Sequence, residues 1–326
     1  MKQISTYLSI IALLFFSSCE EKEPVTESVT LINEFMTEVE QAKITRSFDD
    51  DNKREFIIDD TIYVFGFAKA TTGDTGIRFM PDDNNDTGDK YIYEADVLGW
   101  HRFKAFGSEI GLWRDGFYHD FTAYYYTSKF LTKNQTFVMN SSGLDPDELL
   151  WGEVKNIFFS GNSVVIPKIT FKHQLSRIRI RVVHDMAPED AEAFTINEIT
   201  FNLDNSSADF NAETGQWSNH TGGTIGIGLY PNENLNNIAR LTSEAITECW
   251  VLPNKAISNF YVTLDGSLDP IPVFFKNDFN PNITQPITKP GYITELQMEF
   301  SDIRTIIFTV NLVPWVKIQK ESDITD

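Results

Sequence analysis

Apolar residues in this chain recur at every second position far more often than at helical spacing. Ile199, Phe201 and Leu203 alternate with Thr200 and Asn202, and Phe260, Val262 and Leu264 alternate with Tyr261 and Thr263. Near the end, Ile306, Phe308, Val310 and Leu312 share one face while Thr305, Thr309 and Asn311 lie opposite, with Ile307 as the one discord and Pro314 closing the ladder. Side chains of a strand alternate between its faces, so each pattern predicts a half-buried strand. Residues 60–67, 121–126 and 157–159 are instead continuous runs of β-branched and aromatic residues, the composition of strands buried more completely. Gly, Asn and Asp clusters separate these segments, and no helical stripe of about 10 to 15 residues intervenes as parallel α/β architecture requires. The pattern predicts an all-β chain of antiparallel sandwiches, with a short helical or looped connection over residues 189–194.

Residues 169–182 carry a change of phase. Ile169, Phe171, His173 and Leu175 occupy odd positions, whereas Ile178, Ile180 and Val182 occupy even ones. One extra residue must be absorbed near Ser176, and a β-bulge does this. His173 falls on the apolar face with no second ligand at metal spacing, so it reads as a core imidazole.

The chain has 326 residues, more than one core usually serves, which predicts two domains of about 100 to 200 residues each. The formal net charge of -20 excludes nucleic acid as a partner, because a phosphate backbone demands clustered Lys and Arg. The beginning differs from the rest. Lys2 is the only charge before an apolar block from Tyr7 to Phe16, and Ser17, Ser18 and Cys19 follow. That is the layout of a secretory signal, and the block is too short to cross a bilayer, which takes about 20 apolar residues. Ser17-Ser18-Cys19 resembles the lipobox of bacterial lipoproteins, although Phe16 stands where Leu is usual. The resemblance implies cleavage after residue 18 and lipidation of Cys19, with the acidic Glu20, Glu21 and Glu23 resembling a signal for export to the outer face of the cell. The second cysteine, Cys249, lies in an apolar stretch and reads as a small buried hydrophobe.

The stretch F-K-H-Q-L-S-R-I-R-I-R-V at 171–182 resembles the central signature of the fimbrillin-like family, surface lipoproteins and pilus subunits of anaerobic Gram-negative bacteria. Residues 60–67, 118–126 and 310–315 agree with the same family in the same order. The resemblance implies two tandem transthyretin-like β-sandwiches, here 47–167 and 168–326, preceded by a signal peptide at 1–18 and a lipidated tether with a removable strand at 19–46. It implies a structural or adhesive role in fimbriae as stalk, tip or anchor, held on the outer membrane through its lipid, with other fimbrial subunits and host or bacterial surfaces as partners. Pilus subunits of the family are cut after an Arg near the N-terminus, and Arg46-Ser47 is the matching position here. Within the tether, Val29, Leu31, Phe35 and Val39 fit one strand face, while Ile32, Phe35, Met36 and Val39 fit a helix equally well. Ile306, Phe308, Val310 and Leu312, with Trp315 as a plug, form a candidate donor strand for a neighbouring subunit. The same strand could equally complete its own domain.

No nucleophile elbow, P-loop, dinucleotide fingerprint or H-E-x-x-H is present, and no cofactor or metal site is expected. Asp83, Asn85, Thr87, Gly88 and Glu94 imitate calcium-loop spacing, but Thr87 is a weak ligand and strand patterns replace the helices. The sequence therefore reads as a non-enzymatic protein. A glycan-binding lipoprotein is the alternative, with Trp100, Trp113, Phe117 and Tyr118 as stacking platforms. A surface hydrolase with scattered carboxylates ranks third.

Overall fold

The computed structural model describes residues 30–39, 56–81, 87–107, 111–126, 136–140, 149–161, 165–204, 207–265, 269–275, 286–302 and 305–314. The alternating segments form strands throughout. In the first half they are β1 (Glu34–Val39), β2 (Thr61–Lys69), β3 (Ile77–Met80), β4 (Asp89–Val97), β5 (Trp100–Ala105), β6 (Tyr118–Tyr126), β7 (Thr136–Asn140), β8 (Leu149–Phe158) and β9 (Lys168–His173). Their order is β3-β2-β4-β5-β1-β9-β8-β6, and β2 also pairs with β6. The last pairing closes seven of these strands into a barrel-like ring, with β3 appended outside it. Leu98 and Gly99 turn β4 into β5 with φ of 52° and 80°, the primed geometry whose twist matches a hairpin.

The second half contributes β10 (Ser176–His184), the single-turn helix α1 (Pro188–Ala191), β11 (Thr195–Leu203), β12 (Ser207–Asn211), β13 (Gln216–Thr221), β14 (Ile225–Leu229), β15 (Glu233–Asn234), β16 (Glu244–Val251), β17 (Ile257–Leu264), β18 (Ile271–Phe275), β19 (Tyr292–Asp302) and β20 (Thr305–Pro314). The main sheet runs β14-β11-β17-β18-β20-β19-β10-β16. Its core gathers Ile178, Ile180, Val182, Phe201, Val262 and Leu296. The short helix falls on the connection anticipated for residues 189–194.

Two expectations are corrected. The sheets are mixed rather than wholly antiparallel, because β1–β9, β10–β19 and β18–β20 are parallel ladders between strands distant in sequence. Period-two alternation is the same in either pairing, so it cannot distinguish them. The phase change near Ser176 is not a bulge. β9 ends at His173 and β10 starts at Ser176, so Ile169 and Phe171 enter the first core while Ile178 and Ile180 enter the second. The chain crosses between sheets there, after β9 rather than before it. His173 ends half-buried at that crossing.

A third apolar cluster lies between the sheets. β7 pairs antiparallel with β12, which pairs with β13, and this ribbon lays Ala208, Phe210 and Ala212 against Phe65, Tyr124 and Leu149 of the ring. Thus β2 is buried on both faces, Ile62 and Val64 inside the ring and Phe65 beneath the ribbon. That accounts for the unbroken apolar run in its sequence.

The alternation of Arg with Ile in β10 is explained by the sheet's other face. Arg177, only 1% exposed, is bonded to Glu248 and lies with its guanidinium 5.1 Å from the Trp250 ring centre. Arg179 reaches Glu248 at 3.3 Å and Glu295 at 3.4 Å, and Arg181 donates to the Ser243 carbonyl at 2.6 Å. Loss of Arg177 would empty a sealed site against Trp250 and leave Glu248 with Arg179 alone of its two arginine partners. Arg177→Ala should lower unfolding free energy by about 3 kcal/mol in a urea titration, and Arg177→Met by less, since it refills the volume. Equal losses for the two would show that the lost pairing rather than the vacated volume carries the cost, and no loss for Arg177→Met would show that the charge pair matters little.

Candidate assembly site around the first strand

The tether segment forms a strand, not a helix, and it is an interior one. β1 pairs antiparallel with β5, from Glu34↔Lys104 to Thr37↔His101, and parallel with β9, from Met36↔Lys168 to Val39↔Phe171. Backbone bonds extend the grip: Ile32 donates to the Gly111 carbonyl at 3.0 Å, Met36 to that of Pro167 at 2.9 Å, and Ala105 donates to Asn33 at 2.9 Å. The inward residues are Ile32, Phe35 and Thr37, with Val39 half-buried against the same core, so of the strand face read in the sequence Phe35 and Val39 point inward while Leu31 is exposed. The Phe35 ring meets Tyr91 edge-on at 4.8 Å and Phe121 at 5.2 Å. Burying such a ring contributes about 1.5–3 kcal/mol, and aromatic pairs add about 0.5–1.5 each. The Tyr91 hydroxyl donates to the Ile32 carbonyl at 2.7 Å, and burial raises its pKa well above the ordinary phenol value. Tyr91 therefore remains a neutral donor, and nothing in its spacing announced that role.

The inward position after Phe35 is Thr37, whose hydroxyl points to the His101 carbonyl at 3.5 Å. At the strand's outer edge Thr170 donates to Glu38 at 2.9 Å. The slot thus has a deep pocket for an aromatic ring, then a small site that tolerates a hydroxyl. After Val39 the described chain resumes at Phe56, which packs edge-on against Phe103 at 5.0 Å and Tyr125 at 5.2 Å. Arg46 and Ser47 fall between these two anchored points and lie outside the described residues, as does Cys19. A cut there would leave β1 held to the body only by hydrogen bonds and packing.

The candidate donor residues Ile306, Phe308, Val310 and Leu312 lie in β20, which pairs antiparallel with β19 from Asp302↔Thr305 to Tyr292↔Pro314 and parallel with β18. Val310 packs half-buried against the second core. Trp315 lies outside the described residues. The aromatic residues considered for sugar stacking do not form an exposed platform. Trp113 is buried, stacked on Phe159 at 5.0 Å and edge-on to His119 at 4.9 Å. Trp100 is half-buried beneath the Lys168 ammonium, Tyr118 packs on Phe158, and Phe117 is exposed without a coplanar partner among the described residues. Among the same residues no group of His, Cys, Asp or Glu could hold a metal. Glu94 is instead clasped by Lys104 and Arg102, which hold its carboxyl below the usual range. Cys249 is buried and its thiol pushed up to about 12 by desolvation, so it is no nucleophile at neutral pH.

His119 stands beside the site. Its Nε2 accepts from the Arg114 amide at 3.1 Å, and its ring stacks over Phe121. Burial lowers its pKa, helped by Arg114 and opposed by the carbonyls of Ile157 and Phe117 and by Asp120. The folded state therefore favours neutral imidazole, and that stability is complete above the unfolded value near 6.5 and is lost as pH falls through the depressed folded value. The urea midpoint should drop more steeply between about pH 6.5 and 5 in the native chain than in His119→Gln. Parallel curves would show that His119 is not responsible.

The Fimbrillin-like family profile matches residues 45–315. A protein from Bacteroides uniformis, provisionally described as a cell adhesion protein, superimposes with a TM-score of 0.55 at 18% identity over 87% of this chain and 98% of its own. One from Bacteroides ovatus with the same description gives 0.55 at 14% identity over 88% and 98%. At such identities the likeness establishes the fold alone, and no curated protein matches significantly. With the profile spanning the ring apart from β1, the crossing and the second sheet, this chain belongs to the fimbrillin-like family.

Proposed function

We propose that this chain is a structural or adhesive fimbrial component that joins other fimbrial subunits by strand addition at the β1 slot. The observation that carries the reading is the position of β1 between one antiparallel and one parallel neighbour inside a closed ring. An interior strand that can be severed from its body by a single cut leaves a groove with two unpaired edges and an aromatic pocket, and an extended segment from another chain can refill it. Membership of the family points to a structural rather than catalytic protein, and the fold's likeness to proteins provisionally described as serving cell adhesion agrees.

The finer elements of the reading follow from the sequence. Cys19 carries the lipid that holds the precursor on the outer membrane, as two or three acyl chains hold a protein almost permanently. Arg46 is the cleavage point and Ser47 the new N-terminus. The ring and the second sheet serve as the two tandem transthyretin-like modules. Labelled palmitate should enter the native protein and not Cys19→Ala, and equal labelling would remove the anchor from this account.

The slot itself is tested after digestion with a trypsin-like protease and removal of the released segment. A fluorescent peptide of residues 29–41 should bind the stripped protein, and its Phe35→Ala version should bind at least about 100-fold more weakly, the equivalent of the roughly 3 kcal/mol lost with a core Phe. Failure of the native peptide to bind would refute the slot.

A further inference from the structure

We infer that this chain takes a strand and gives none, and that the strand it takes carries an aromatic residue followed two positions later by a small or hydroxyl-bearing one. The inference rests on the slot reading above and adds the direction and the partner's chemistry.

The two candidate strands differ in what their loss does to the sheets. β1 lies in a ring, so its withdrawal leaves β5-β4-β2-β6-β8-β9 as one continuous sheet. β20 lies in an open path. Among the described residues it alone joins the β14-β11-β17-β18 half of the main sheet to the β19-β10-β16 half. Withdrawal of β20 would break that backbone link, leaving the halves joined only by packing across the second core, and would uncover that core where Val310 packs. Its ladder with β19 runs its whole length, ten residues. A filament built from this chain by donating β20 would remove two strands from each subunit, β1 and β20, and return one. Exchange at β1 alone is strand for strand. Unmade backbone hydrogen bonds and uncovered apolar surface both cost free energy, so the balance favours a chain that accepts only. The donor must therefore be another subunit, with a segment that is surplus to its own sheets.

The pockets define that segment. The ring of Tyr91, Phe103 and Phe121 around Phe35 takes an aromatic side chain, and the fully buried Thr37 position takes one of threonine's size. The incoming strand must run parallel to β9, as β1 does. The cut that opens the slot also parts the body from Cys19, so an accepting copy has no lipid of its own. It stands at the unanchored end of an assembly.

The test uses the digested, stripped full-length protein. Alone and at high concentration it should remain single chains by light scattering and electron microscopy, and it should take up the residue 29–41 peptide one to one. With that peptide, Phe35→Tyr should be tolerated and Thr37→Trp should abolish uptake. Filaments grown from stripped protein alone, and lost when residues 305–326 are deleted, would overturn the inference while leaving the slot reading intact. No uptake of the native peptide would bring down both. Independently, deletion of residues 305–326 from uncut protein should abolish amide-exchange protection in β10, β18 and β19 and leave it in β2 and β6. Undiminished protection across the second sheet would mark β20 as spare and overturn the inference.

Discussion

Closure of the first sheet depends on one six-residue strand whose partners lie far away in the sequence. A sheet edge exposes unpaired N–H and C=O groups, and closing the sheet on itself is one way to remove them. Here β1 does the closing, and it does so from the N-terminal side of a segment that contains Arg46. Two properties usually kept apart therefore coincide in one element. β1 seals Phe35 and Thr37 completely, yet its covalent tie to the remaining ring runs through a single connection. Stability of the closed form and the capacity to open thus come from the same strand.

In the proposed exchange of that strand, the third apolar cluster would hold the rest in place. Trp151 of β8 donates its indole N–H to the Ala212 carbonyl at 2.8 Å, and Gly215, with φ +68°, lies close enough that a Cβ would stand 2.6 Å from the Trp151 ring. A glycine is required there for both reasons. The ribbon clamps the outer faces of β2, β6 and β8, the strands opposite β1 in the ring. An opened ring would therefore keep its curvature from outside, and the groove would remain shaped for a replacement. The chain's many aromatic residues are divided among three cores, which leaves few for an exposed binding platform.

The sequence made the strands legible because period-two alternation is a local property. Ile199 to Leu203 and Phe260 to Leu264 pair as expected of half-buried strands. Topology was less legible. The parallel ladders and the ring closure join residues far apart, such as Met36 with Lys168, and alternation on one strand carries no information about its neighbour. The phase change at Ser176 was visible, but a bulge and a crossing between sheets produce the same offset. The family resemblance rested on the R-I-R-I-R-V run, whose physical cause is a paired guanidinium ladder on one face and a core on the other. The site was half visible. Phe35 stood out as apolar, whereas Thr37 was concealed by its hydroxyl and Tyr91 by its distance along the chain.

Charge around the slot bears on which strand can enter. The register sets Glu34 against Lys104, and Met36 against Arg102 on one side and Lys168 on the other. Outward positions of an incoming strand would meet these cations. Exposed pairs of this kind contribute only about 0.2–1 kcal/mol each, too little to supply affinity beside a buried phenyl ring. Their effect is on rate and register. Glu94 offsets part of the charge of Lys104 and Arg102, yet on a chain with a formal net charge of -20 this border is where an acidic segment is least repelled, and steering of this sort raises encounter rates more than equilibrium binding. A one-residue slip would also turn the aromatic side chain outward and place a polar one in its pocket. In the proposed strand addition, affinity and register would therefore be set chiefly by the inward aromatic, and the border charges would select which strands arrive.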